Sequence, residues 1–310
     1  MDVELRHLRV VCAIADAGSI TRAATTTGTS QPALTATLQR IERALGSRLF
    51  SRGREGVTPT AFGECVLTRA RTVLAASDAL HRHAASWLAD GSARPVALGG
   101  IGGSMVIELA GRLSGADEVS VTTHFSPRRL LDLLAAGRLD AAVVADYPGY
   151  DLVAPRGVSL RWLATVPVFV ALPAGHPALA GPGIELADLA DEQWVLGPSD
   201  GAGWPECFET ACARAGFRPR VAHRVAELRP LQHLIVAGRA ISPCQVTFPP
   251  SPGIVIRPLA GDPLWMRHHI AWHADGAFGA RPEPLIAEAA AAYRLDIEQS
   301  PAYQQWLAVR

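Results

Sequence analysis

The 310-residue chain contains no lysine; all 29 of its basic residues are arginine. That bias fits a GC-rich genome and carries no function by itself. No apolar run approaches the roughly 18 residues needed to cross a bilayer, which leaves no membrane-spanning helix to expect. The opening segment MDVELRHLRVV is charged and lacks the apolar stretch and cleavage site of a secretory signal, so a cytoplasmic protein is expected. Cysteine is sparse and odd in number, at Cys12, Cys65, Cys207, Cys212 and Cys244. Irregular spacing argues against a disulfide framework or a zinc site, and the thiols read as small hydrophobes. No cofactor is implied.

Net charge is also absent, but its distribution is uneven. Through Arg94 there are twelve arginines against eight acids, and from Pro95 onward seventeen against twenty-one. The positive excess lies at the N-terminus, where a nucleic-acid-binding end would need it. In residues 4–17, Leu5, Leu8, Cys12 and Ala15 recur at helical spacing, ended by Gly18. Ser19 is placed to cap a second helix that stops at Gly28. A third starts near Ser30 with Pro32 in its first turn and closes at Gly46. Its Leu34, Leu38, Ile41 and Leu45 form one apolar stripe, so Gln31, Thr35, Gln39, Arg40 and Arg43 share the other face. Glutamine can pair with adenine, arginine with guanine or phosphate, and a threonine methyl with thymine. The segment RLFSRGREGVTPT reads as a β-hairpin wing with Arg52 and Arg54 at its tip, placed for phosphate or minor-groove contact. From Ala61 to about Leu88 a long helix carries Phe62, Val66, Val73, Leu80 and Trp87 on one side, a spacing suited to a partner helix. Polar residues on one helix face are equally compatible with plain solvation.

The remaining chain alternates short apolar runs with helices. PVALGG precedes SMVIELAGRL, VSVTTHF precedes RRLLDLLAAG, and DAAVVADY follows. A second set begins near Val166, with VPVFVALPAG, EQWVLGP, PECFETACARAGF, VAHRV and LRPLQHLIVAGR; IVIRPL and HHIAWHA read as late strands. The rhythm is βαβ with a parallel sheet, in two subdomains.

Residues 5–63 resemble the N-terminal domain of LysR-type transcriptional regulators. The resemblance rests on AIADAGSITRAA over 13–24, SQPALT over 30–35, IERALG over 41–46, LFSR over 49–52 and TPTAFG over 58–63. Weaker similarity continues in LLDLLAAGRLDAAVV over 130–144, LPAGHPAL over 172–179, AGFRP over 215–219 and LIVAGRAI over 234–241. It implies an α/β fold with an N-terminal winged helix-turn-helix, a long linker helix that dimerises, and a two-subdomain effector domain like periplasmic binding proteins. The expected division is 1–60 for DNA binding, 61–90 for the linker and 91–310 for the effector domain. Within the last, subdomain I would take about 95–165 and 267–295, and subdomain II about 166–266. The implied partners are double-stranded DNA with an interrupted palindrome, a small-molecule effector, and further copies of the chain as dimer or tetramer. RNA polymerase is a further candidate partner, and a membrane is not. By resemblance Ser30, Gln31, Pro32 and Thr35 begin the groove-facing helix and Arg52 is the wing arginine; Gln39 and Arg40 follow from helical geometry. The sequence departs from the family at Thr27, at Ala36, and at Val10 and Val11.

Ligands of open α/β sheets bind at the carboxyl ends of strands. The Gly99–Ser104 turn follows the first strand and opens a helix, whose N-terminus favours an anion. Together with Phe125–Pro127, Gly197–Asp200 and Thr247, it nominates Gly103, Ser104, Ser126, Ser199, Asp200 and Thr247 as effector contacts. Competing motifs are weaker. Gly100-Ile101-Gly102 is not completed as a dinucleotide fingerprint, because Met105 stands at the third glycine position. Gly197–Gly201 matches G-x-S-x-G, which would make Ser199 a hydrolase nucleophile, but Pro198 and a late helix start fit that turn poorly. His268, His269 and His273 suggest metal by spacing alone. A C-terminal half that only oligomerises is the remaining alternative to ligand sensing.

Overall fold

In the computed structural model, which describes residues 3–53, 56–88, 95–114, 118–181 and 183–308, the apolar stripes of the first three helices set the N-terminal architecture. These are α1 (Leu5–Ala17), α2 (Ile20–Thr26) and α3 (Gln31–Leu45). The hairpin β1 (Phe50–Gly53) and β2 (Gly56–Pro59) follows, then α4 (Ala61–Leu88). They form one unit, Met1–Ser92 with Ala136–Arg138; the other comprises Ala93–Ala135 and Leu139–Arg310.

In the first unit, Leu34, Leu38 and Ile41 of α3 are buried with Ile20, Ala23 and Ala24 of α2 and Val11 and Ile14 of α1. Each fully buried aliphatic of this kind contributes about 1.5–3 kcal/mol. The expected stripe of α1 is rotated. Leu5 is exposed and Leu8 and Ala15 are half-buried, whereas His7, Val11, Cys12 and Ile14 are buried. His7 tolerates burial because its Nδ1 accepts the Glu4 N–H at 3.1 Å, closing a capping box. Ser19 and Ser30 cap α2 and α3, accepting the Arg22 and Ala33 N–H groups. Thr60 caps α4 by accepting the Gly63 N–H at 2.9 Å while its own hydroxyl donates to the Arg48 carbonyl at 2.8 Å. Leu67 and Ala70 bury α4 against the three helices, and Arg71 pairs with Asp16 of α1 at 2.8 Å.

The second unit holds mixed rather than purely parallel sheets. Its first half contains β3 (Val96–Gly100), α5 (Met105–Leu113), β4 (Val119–Thr123), α6 (Pro127–Ala135), β5 (Ala141–Asp146) and β6 (Val158–Pro167). Its second half contains β7 (Phe169–Pro173), β8 (Gln193–Leu196), α7 (Glu206–Arg214), β9 (Arg220–Arg224), α8 (Leu228–Val236), β10 (Ser242–Cys244) and β11 (Ile254–Arg257). The chain then returns through β12 (Trp265–His273) to α9 (Glu283–Glu298) and α10 (Pro301–Ala308). The first sheet has the order β4-β3-β5-β12-β6, with β3 parallel to its neighbours and β12 antiparallel to both of its own. The second half carries an antiparallel β10-β7-β11 sheet and a parallel β8-β9 pair. The expected return of 267–295 to the first half is met by β12, but the purely parallel reading misses its direction, because that strand enters the first sheet antiparallel after the second half is complete. The run VPVFVALPAG spans two strands, split at Val168, whose N–H donates to the Leu264 carbonyl at 3.0 Å. Val168 and Leu264 thus mark the outward and return crossings between the two halves.

Asp146 anchors this return. At the end of β5 it is almost wholly buried and receives Arg267 Nε at 2.7 Å, His269 Nε2 at 3.0 Å and the Leu152 N–H at 2.9 Å. Burial alone would raise its carboxyl, but the hydrogen bonds from His269, Leu152 and Arg267 together hold it below its usual value. A depressed folded value means that the ionised form contributes stability above roughly pH 4, lost as pH falls through the folded value. Asp146→Asn is therefore expected to cost about 3 kcal/mol at pH 7. In denaturant titrations the gap to the wild type should narrow below about pH 4; equal stability at pH 7 would remove Asp146 from this role. In the first unit, a Cβ on Gly63 would lie 2.0 Å from the Leu49 carbonyl oxygen. Gly63→Ala should thus cost about 2 kcal/mol or more, read as a lowered melting transition of that unit.

Candidate functional site

The residues nominated from the sequence fall on two surfaces, one in each unit. In the first, burial of Leu34, Leu38 and Ile41 fixes the rotation of α3 and turns Gln31, Gln39, Arg40 and Arg43 to solvent. Ser30 and Pro32 are exposed at the start of the helix, where recognition helices meet base edges. Arg40 leans on Thr37, its guanidinium donating to the Thr37 hydroxyl at 3.1 Å, and Arg43 Nε donates to the Gln39 carbonyl at 3.3 Å. Thr35 does not share the open face: it is half-buried, and its hydroxyl is buried without a hydrogen-bond partner among the described residues. Helical spacing alone puts Thr35 beside Gln31 and Gln39, but it is one residue from Leu34 and so lies at the margin of the buried stripe.

The wing is fixed to α3 by a side-chain contact and to the end of α1 by a backbone one. Glu42 of α3 accepts the Leu49 N–H at 2.8 Å, and the Val57 N–H of β2 donates to the Gly18 carbonyl at 3.0 Å. Gly56 allows that approach: its φ is +121°, and a Cβ there would stand 2.5 Å from the Gly18 oxygen. Arg52 lies on β1 opposite Val57, while Arg54 lies outside the described residues. A groove between α3 and the hairpin is lined by Gln39, Arg43 and Arg48. Exposed Arg48 is absent from the sequence-based set; its place as the first residue of the wing segment is the available signal.

The second surface is the cleft between the two halves of the C-terminal unit. A cavity of about 180 Å³ is walled by Phe125, Tyr147, Val168, Trp204, Leu231 and Met266, with Asp200, Ser242 and Gln245 as polar elements. A smaller pocket of about 10 Å³ shares Ile101 and Gln245 with it. The six expected effector residues meet only in part. Asp200 lines the cavity. Its Oδ1 accepts the N–H groups of Ala202 at 2.7 Å and Trp204 at 3.0 Å, and burial raises its carboxyl. Ser126 caps α6 and donates its hydroxyl to the Asp200 carbonyl at 2.6 Å, stapling one half to the other. Beside it Arg128 Nε donates to the Gly201 carbonyl at 3.2 Å.

Gly103, Ser104 and Thr247 gather elsewhere. The Ser104 hydroxyl donates to Asp296 of α9, which is also hydrogen-bonded by Thr247. The anion that the Gly99–Ser104 turn was expected to attract is thus an internal carboxylate. Burial raises Asp296, offset in part by those two hydroxyls. Ser199 is exposed and lines neither pocket. Tyr147, Trp204 and Gln245 are the cavity residues that sequence reasoning missed, although Tyr147 directly follows β5, at the strand end where ligands are expected.

The rival motifs do not assemble. Ser199 stands on a loop well before α7 starts at Glu206, without the tight strand-to-helix turn of a nucleophile elbow. Of the three histidines, His269 binds Asp146, His273 accepts the Asp275 N–H at 3.1 Å, and His268 packs on Tyr293 with ring centroids 5.0 Å apart. Among the described residues no cluster of three or more His, Cys, Asp or Glu could hold a metal ion. Burial pushes the thiols of Cys207 and Cys212 up to about 12, which disfavours thiolate chemistry there. Among the described residues no helix is long and apolar enough to cross a membrane.

Comparison with known proteins covers both units. Residues 5–64 match the bacterial regulatory helix-turn-helix protein of the lysR family, and residues 116–294 match the LysR substrate binding domain. The small neutral protease regulatory protein of Streptomyces coelicolor is 39% identical, over 98% of this chain and 96% of its own. Among solved structures, an OxyR mutant of Corynebacterium glutamicum shares the fold with a TM-score of 0.57 at 22% identity, covering 97% of this chain and 94% of its own. Full-length CbnR, solved in complex with its target DNA, gives a TM-score of 0.52 at 23% identity, over 95% of this chain and 100% of its own. With the helix-turn-helix, the two-halved α/β unit and these matches in hand, the chain belongs to the LysR family of transcriptional regulators.

Proposed function

We propose that this regulator reads an interrupted palindromic operator in double-stranded DNA with α3. Gln31, Gln39 and Arg40 would contact bases, Ser30, Pro32 and the Thr35 edge would set the approach of the helix, and Arg52 and Arg54 would hold the backbone. The observation that carries the reading is the outward face of Gln31, Gln39 and Arg40 behind a buried Leu34–Leu38–Ile41 stripe. The capture of CbnR on its target DNA supports it by analogy. The working division is a DNA-binding domain over 1–60, a linker helix over 61–90 and an effector domain over 91–310. The boundary between the last two falls outside the described residues. Phe62, Val73 and Leu80 are exposed on α4, as a dimerising helix requires. Paired recognition helices would then enter successive major grooves, in a dimer or tetramer acting in the cytoplasm.

In the C-terminal unit, a small-molecule effector would occupy the 180 Å³ cavity. Asp200 would stand at its wall, with Ser126 and Ser199 at the mouth and Gly103, Ser104 and Thr247 toward Asp296. Effector binding would bias the two halves between arrangements through differential affinity. The cavity favours this over a domain that only oligomerises, and the chain is read as having no catalytic role. The name of the Streptomyces coelicolor relative makes the region beside a neutral-protease gene, together with that beside the regulator's own gene, the first DNA to assay.

Gln31→Ala should weaken specific binding by about 1–3 kcal/mol and relax base preference, while Arg52→Ala should lower affinity uniformly and flatten the salt dependence. Gel-shift titrations against operator and scrambled DNA read both effects. Full operator affinity in both variants would overturn the assignment of α3 and the wing as the reading surface.

A further inference from the structure

We propose that the effector is a small uncharged molecule, one ring of apolar surface with a single neutral polar tip, and that Asp296 is the chain's own anion where an acidic ligand would otherwise bind. The inference rests on the reading of the cleft as the effector site.

Size comes first. A cavity of about 180 Å³ slightly exceeds the roughly 150 Å³ apolar cavities that take up benzene. Its walls include Phe125, Tyr147 and Trp204, one from each of three separate loops, so a ring would meet aromatic surface on several sides.

Charge comes next. No arginine lines the cavity or the small pocket beside it, and the only acidic residues in those walls are Asp200 and Asp296. The one histidine, His268, is held neutral because burial pushes it down to about 4. Of the arginines nearby, Arg267 pairs with Asp146 and Asp151, while Arg128 and Arg257, the latter in the adjoining groove beside Asp296, donate to the Gly201 and Ile256 carbonyls. The Ser104 and Thr247 hydroxyls at the α5 N-terminus already serve Asp296. A carboxylate ligand in the cavity would be desolvated beside carboxyl groups with no arginine among the lining residues, an unfavourable exchange for water.

The polar tip follows from two orphaned atoms. Tyr293 Oη and His268 Nδ1 are buried without a hydrogen-bond partner among the described residues, and both residues line the small pocket. Its 10 Å³ admits one water-sized group. A hydroxyl or carbonyl reaching past Gln245 from the ring cavity would satisfy them; a larger head would not fit.

The test uses three probes with one ring and different heads: benzyl alcohol, benzylammonium and benzoate, titrated calorimetrically into the full-length protein at neutral pH. Benzyl alcohol is expected to bind at least tenfold more tightly than either ion. Ala226→Trp, which fills the cavity from an exposed wall position, should abolish that binding while leaving the melting temperature near wild type. Asp296→Asn should improve benzoate binding by removing the internal charge while keeping the side chain's shape. Benzoate or benzylammonium binding as tightly as the alcohol, or no detectable binding of the alcohol at millimolar concentration, would overturn the proposal. If benzoate binds and Ala226→Trp abolishes it, the ligand class fails while the cleft reading stands. Probe binding indifferent to Ala226→Trp would instead count against the cleft itself.

Discussion

Burial of Leu34, Leu38 and Ile41 is the constraint on which the DNA-binding unit depends. A helix with one apolar stripe has one stable rotation against its neighbours, and that rotation decides which polar residues face outward. The stripe does more than hold three helices together. It presents Gln31, Gln39 and Arg40 as a surface, and it places Glu42 where it can grip the backbone at the root of the wing. The same packing explains Thr35, whose hydroxyl is drawn inward because it neighbours Leu34. Through Thr60 and Gly63, which seat the start of α4 against Leu49, the long helix inherits its direction from the same core.

The C-terminal unit follows a parallel logic with charge added. The chain leaves the first sheet at Val168 and returns beside Leu264, and these crossings define the cleft. Asp146 ties the returning strand to β5 through Arg267 and His269. Ser126 and Arg128 reach across to the Asp200–Gly201 loop. Those two contacts are modest hydrogen bonds of about 1 kcal/mol each, small enough for a ligand of ordinary affinity to rearrange. Beyond Asp296 the chain continues into α10, where Trp306 Nε1 donates to Asp262 at 2.9 Å and its ring stacks on Tyr303. Helix α10 is thus docked on the loop that leads back into the first sheet.

The helices were legible because their signals are local. Ser19 and Ser30 as caps, Gly18 and Gly46 as stops, and a three-four apolar rhythm survive without knowledge of distant contacts. The α1 stripe was misjudged by one position, since Val11 and Ile14 serve as well as Leu8 and Ala15 until the partners are known. The mixed sheet and the cleft were only half legible, for they depend on residues far apart in sequence. Ser104 reads as a free anion-binding cap until Asp296, 192 residues later, is seen to occupy it. Ser126 and Asp200 both follow strand ends, yet nothing local shows that they hold each other. Tyr147 and Trp204 carry no motif; aromatic side chains in loops become a cavity only when the halves close.

The central claim, that α3 reads bases from paired copies of the chain, is tested most directly by methylation interference on an operator fragment bound by the full-length protein. Interference is expected at guanines in two major-groove patches on one face of the duplex, about one helical turn or a multiple of it apart, with the Arg40→Ala variant losing part of the pattern within each patch. Interference at no guanine, or spread evenly along the fragment with no patch singled out, would contradict it.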